Sequence, residues 1–241
     1  MALGTLDATS LTALRGRGST LAHERTLPVV DALVPCIPDG ALVRGQVVVT
    51  CGVAELSSAL AVTAGATHAG SWLAVVERAG VFEVGADAAA ELGVVLQRTV
   101  LVTLADVHAA PWSEVLAALV EGFDVVIVPV DLPLGAAVTR RLQARLRTRG
   151  GVVVVVGGRG DWQPDLVLRS TPLGAQGGWE PLDQHGRLRG RGVVVDVDAR
   201  RRGAPGRHTM WLPTDTGTVA AMQSADGAST AVGRPSVARA V

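Results

Sequence analysis

The chain has 241 residues, 48% of them hydrophobic and 3% aromatic, with no Tyr and a formal net charge of zero. That length holds one α/β domain with a sizeable core plus tails, and the hydrophobic content suits a well-buried sheet. So few aromatic rings argue against base-stacking platforms for nucleic acid, and two distant cysteines with five scattered histidines argue against a metal site.

Taken in order, residues 1–26 read as an N-terminal helical segment, with Leu6, Leu11, Leu14 and Leu21 at amphipathic positions. Met1–Arg17 carries no apolar signal-peptide core, which predicts a cytoplasmic protein. Asp31–Val43 carries Pro35, Pro38 and Gly40, the chemistry of a loop leading into a strand at Gln46–Thr50. A helix rich in Ala and Leu follows at Ala54–His68, then a strand at Ser71–Glu77, a short helix at Ala86–Leu92 and a strand at Arg98–Leu104. Pro111 opens the next helix, which ends near Glu121. Asp124–Val130 is a fully apolar strand of the kind buried on both faces of a parallel sheet. The longer apolar region Val115–Val138 is interrupted by Glu121, Asp124 and Asp131 and cannot span a bilayer cheaply.

Gly135–Arg149 predicts another helix, stopped by Gly150-Gly151, before the five-valine strand Val152–Val156. Alternation of strands and helices at this spacing predicts right-handed crossovers and a parallel sheet covered by helices. After Gly157 the pattern changes to strands at Asp165–Arg169, Arg191–Asp198 and Arg207–Leu212, an antiparallel extension. Residues 27–213 therefore form the core domain, and Thr214–Val241 reads as a disordered tail.

The stretch Gln46–Leu60 is a strand, a glycine turn and a helix start, the place where a phosphate loop would stand. The motif G-x-x-x-x-G-K-[ST] needs a glycine for close backbone approach, a lysine for the phosphates and a hydroxyl for magnesium. Counting from Gly52, those positions hold Ser57, Ser58 and Ala59. No register shift supplies a lysine, because every basic residue of the chain is Arg. The degenerate loop Gly52, Ser57, Ser58 predicts no bound nucleotide and no ATP hydrolysis. Ser57 and Ser58 are explained by capping and turn formation, with no nucleophile elbow around them.

The zero net charge conceals a division. From Asp31 to Thr139 stand 3 Arg against 12 Asp and Glu, and from Arg140 to Arg207 stand 14 Arg against 6. Arg141, Arg145 and Arg149 share one helix face, and Arg187, Arg189, Arg191 and the run Arg200, Arg201, Arg202 extend the basic half. Such a half fits DNA phosphates, an acidic partner or plain solvation. Trp162 and Trp179 fall in loops of this half, where an aromatic beside arginines can anchor an interface or pack on the sheet edge.

Over Leu27–Pro213 this order of elements resembles the RecA core. The segment Gly40-Ala41-Leu42-Val43-Arg44-Gly45-Gln46-Val47-Val48 is similar to the lead-in to the RecA phosphate loop. Among RecA-like families, an eroded loop followed by an Arg-rich C-terminal half resembles ImuA-type proteins, accessory components of bacterial mutasomes. The resemblance implies a RecA-like, mostly parallel α/β sheet and a non-catalytic role in SOS-induced translesion synthesis. It implies as partners an ImuB-like, polymerase-related adaptor and an error-prone polymerase.

Two departures accompany the likeness. The magnesium-supporting Asp of the family's second nucleotide motif falls at about Pro129, with Asp131 two residues late. Glu77 stands where the family has its water-activating Glu, and reads better as a solvated strand end. The segments Asp131–Leu134 and Gly157–Pro164 are short for DNA-pairing loops. A cryptic nucleotide-binding enzyme borrowing an Arg from a neighbouring subunit, and a SulA-like inhibitor of cell division, are the alternatives.

Overall fold

The computed structural model describes residues 25–78, 80–104, 112–182, 185–186, 188–200 and 206–222. The helix expected over Leu3–Leu21 lies outside them. Valine runs dictate the centre of the fold. Strands β3 (Val47–Gly52), β6 (Val125–Pro129) and β7 (Val152–Val156) bury nearly every side chain, because β-branched residues pack well on both faces of a covered sheet.

Helices α1 (Glu55–His68), α2 (Ala86–Glu91), α3 (Trp112–Gly122) and α4 (Ala136–Arg149) alternate with β4 (Leu73–Arg78), β5 (Thr99–Leu104), β6 and β7. Then β8 (Leu166–Pro172), β9 (Gly192–Ala199), β10 (Gly206–Trp211) and β11 (Ala220–Ala221) follow without a further α-helix among the described residues. Two short strands near the start, β1 (Thr26–Pro28) and β2 (Ala41–Val43), pair with each other alone.

Among the described residues, nine strands make one sheet in the order β11-β10-β9-β8-β3-β7-β6-β4-β5. The six strands from β8 to β5 run parallel, and β9, β10 and β11 are antiparallel to their neighbours. This is the mostly parallel α/β sheet with an antiparallel C-terminal extension that the sequence predicts. One face packs under α1 and the turns at 31–40, and the other under α3 and α4, giving two apolar layers. Among the described residues no helix is long and apolar enough to cross a membrane.

The end of the core differs from expectation. Thr214 does not begin a structureless tail: its N–H donates to Thr218 O at 2.7 Å, and β11 then pairs with Met210 and Trp211. Three threonine hydroxyls clustered at 214, 216 and 218 supply the turn chemistry. Residues 223–241 lie outside the described residues.

Two carboxylates tie down the amino ends of the strands, opposite the phosphate-loop position. Asp124 accepts from Arg44 Nη1 at 3.1 Å and from Trp72 N–H at 3.0 Å, and Asp165 accepts from Val47 N–H at 3.0 Å. Arg44, part of the RecA-like lead-in, also donates to Gly150 O at 3.1 Å.

Candidate functional site

At the carboxyl end of β3 the chain turns directly into α1. Gly52 is the last residue of the strand and Glu55 the first of the helix, leaving only Val53 and Ala54 between them. A phosphate loop wraps its anion with a longer excursion of exposed N–H groups. Here the backbone is spent on the protein itself. Val53 N–H donates to Ser170 O at 3.1 Å, and Ala54 N–H donates to Ser170 Oγ at 2.8 Å. The same hydroxyl donates to Cys51 O at 3.1 Å.

Arg191 closes the outer side. Its Nη1 donates to Val53 O, its Nε donates to Gly177 O at 3.0 Å, and its guanidinium lies 5.1 Å from the Trp179 ring centre. Burial lowers its pKa from the usual arginine value. Gly52 is required by the close approach of β8. Its φ is +98°, and a Cβ there would stand 2.0 Å from Ser170 O. Glu55 puts a negative charge in the first turn of α1, where the helix dipole would otherwise favour a phosphate.

The predicted loop serines lie in the predicted helix but do not cap it. Ser57 and Ser58 are inside α1, whose cap position is Ala54 and carries no side-chain cap bond. Ser58 is buried beside Leu33, Cys36 and Ile37. The helix starts where the sequence predicts it, so these serines stand third and fourth in it and neither caps it.

The other eroded positions are committed as well. Glu77 is only 7% exposed and accepts from Val84 N–H at 2.8 Å and Thr103 Oγ1 at 3.0 Å, so it braces a loop and an edge strand rather than meeting solvent. Asp131 pairs with Arg78, and Pro129 ends β6 with the next N–H, of Val130, donating to Val156 O at 2.9 Å. Among the described residues no group of three or more His, Cys, Asp or Glu is placed to hold a metal ion.

The described candidate contact residues fall into three places. On α4, Arg145 pairs with Glu121 at 3.2 Å and Arg149 Nε donates to Glu121 O at 2.9 Å, so both are tied to the end of α3. Arg141 borders the exposed groove between α3 and α4. Trp179 is half-buried under Arg191, bridging to it across the chain, and is therefore a clamp on the loop rather than an exposed anchor. Trp162 is buried against the layer formed by α3 and α4.

Arg200 lines a cleft of about 810 Å³ with Arg159, Arg169, Asp161 and Asp198, over Cys51. Arg201 and Arg202 lie outside the described residues. The cleft exists because β7 and β8, parallel on either side of β3, are joined by residues 157–165 without the helix that usually makes such a crossover. In the uncovered face Arg169, Asp196 and Arg207 stand in register across β8, β9 and β10. Burial raises the Cys51 pKa, with Arg169 opposing and Glu55 adding to the shift.

Ser170 escapes sequence reasoning, and Arg191 is read there only as part of the basic half, not as a clamp on this turn. They stand 116 and 138 residues from the backbone groups they engage. No local pattern marks them, and only the insertion of β8 beside β3 brings them in. Glu55 was legible as a first-turn acid in the turn itself.

The sheet order, the turn at the end of β3 and the antiparallel extension define a RecA-like fold. A crystal structure of the RadB recombinase superposes with a TM-score of 0.55 at 15% identity, covering 80% of this chain and 97% of that one. Residues 35–164 match the model of the MT3502 N-terminal domain, and the chain belongs to that family. No curated protein matches it significantly.

Proposed function

We propose that this protein is a non-catalytic RecA-fold accessory protein in SOS-induced, error-prone translesion DNA synthesis, acting through contacts with an ImuB-like adaptor and an error-prone polymerase. The observation that carries the non-catalytic part is the internal closure of the phosphate loop. The N–H groups of Val53 and Ala54 already have acceptors in Ser170, Arg191 holds Val53 O, and Glu55 repels an anion. A nucleotide would have to displace these bonds, the one from Ala54 N–H to Ser170 Oγ being buried, without a lysine to draw its charge.

The contact role is supported by the C-terminal half. Leu173, Leu182 and Leu188 are exposed there beside Arg189 and Arg191, an apolar and arginine-bearing composition that suits an interface core. A fold shared with a recombinase is in keeping with work on DNA. The test has two arms. Calorimetry with ATP and magnesium is expected to give no heat of tight binding, and micromolar binding or phosphate release would replace this reading with the cryptic ATPase. Co-purification with an ImuB-like partner is expected to fail for a Leu182→Asp, Leu188→Asp double variant. Capture of a cell-division protein instead would favour the SulA-like alternative.

A further inference from the structure

The two edges of the sheet are treated in opposite ways. At one end β11 is two residues long, too short to template another strand. At the other end β5 offers six residues, Thr99-Val100-Leu101-Val102-Thr103-Leu104, in unbroken register with β4 from Leu73↔Thr99 to Arg78↔Leu104. It has no charge, no proline and no bulge, in a chain with 22 Arg and 22 Asp and Glu. Natural sheets blunt a free edge with such devices, and a long apolar edge without them is one that is covered. Among the described residues no strand lies beyond β5.

The residues on this edge also state what covers it. Val75 belongs to the layer under α1 and Ala74 and Val76 to the layer under α3 and α4, so their partners divide likewise: Leu101 faces the first, Val100 and Val102 the second. Both faces are incompletely covered at the edge, with Leu101 46% and Val100 37% exposed. The order Thr-Val-Leu-Val-Thr reads the same in both directions about Leu101.

We propose that β5 pairs antiparallel with β5 of a second copy of this chain, about a two-fold axis through Leu101. Thr99 then faces the partner's Thr103, Val100 the partner's Val102, and Leu101 its own counterpart. Like side chains of strand-forming type meet on each face, the pairs that stabilise antiparallel ladders. The interface is isologous, so it closes at two copies, and it continues both apolar layers across the axis.

Sedimentation of the full chain under reducing conditions tests this. The wild type is expected at twice the 24.7 kDa chain mass. Leu101→Glu and Leu101→Lys are each expected to sediment as monomers, since each faces its own charge across the axis, while keeping the wild-type circular dichroism. An equimolar mixture of the two is expected to recover the dimer, a result that misfolding or an interface away from Leu101 cannot produce. Backbone amides of residues 99–104 should exchange more slowly in the dimer. A wild type that is monomeric at every soluble concentration, a dimer that survives Leu101→Glu, or a mixture that stays monomeric overturns the proposal.

Discussion

Replacing Ser170 with Ala removes one oxygen and strands two backbone groups. The side chain is 2% exposed, and its Oγ both accepts from Ala54 N–H and donates to Cys51 O. A buried donor left without an acceptor costs about 1–3 kcal/mol, and the carbonyl, with two lone pairs, adds less. We expect Ser170→Ala to lose about 2–3 kcal/mol in guanidinium unfolding with an unchanged m value. For a domain of this size that is a fall in Tm of roughly 4–12 °C. Thr171→Ala serves as the control, because that hydroxyl is half-buried and reaches Val194 O only at 3.5 Å. Its loss should stay within about 0.5 kcal/mol. If Ser170→Ala is no worse than Thr171→Ala, the hydroxyl does not hold the loop, and the internal closure on which the non-catalytic reading rests is wrong.

Gly52→Ala should be harsher, at about 3 kcal/mol or more, since its Cβ would lie 2.0 Å from Ser170 O at a φ of +98°. A variant melting with the parent would mean that β8 retreats freely. Burial pushes the Cys36 thiol up to about 11 from 9.0. Its folded pKa lies above the unfolded one, so the stability it contributes is intact below pH 9.0 and lost as pH rises toward 11. Wild type should therefore lose more stability than Cys36→Ala across that window, and equal alkaline losses in the two would refute it. Native alkylation of Cys36 at pH 8 should run on the order of 100-fold slower than in urea, read by mass spectrometry.

What could be read from the residues was whatever is written in short range. Five consecutive valines at 152–156 admit little but a strand buried on both faces, and Ala136–Arg149 ends where Gly150 follows. The strands at 26–28 and 41–43 were illegible because three residues carry no period, and Pro28 argues against a strand. Ala220–Ala221 has no strand-forming side chain, and its pairing comes from the preceding threonine turn. At the loop, the missing lysine and the helix over Ala54–His68 were plain, but Ser57 and Ser58 were read as capping and turn residues although they stand third and fourth in that helix. Glu77 looked solvent-facing because nothing nearby in sequence reveals that Val84 N–H and Thr103 fold over it.

The place of β3 in the sheet sets a timetable for synthesis. Its two neighbours are β7 and β8, so Val47 must wait for Val153 and Val48 for Leu166. At about 5–20 residues per second the ribosome needs several seconds to deliver either, and for that time this buried strand has α1 but no ladder partner. Pairings this distant in sequence also form slowly once available. Ser170 and Arg191 emerge later still, so the turn at Gly52 is sealed only when most of the chain has been made. A nascent chain stalled before residue 152 should therefore bind a holdase chaperone through Val47–Thr50, and release it once β8 has cleared the exit tunnel.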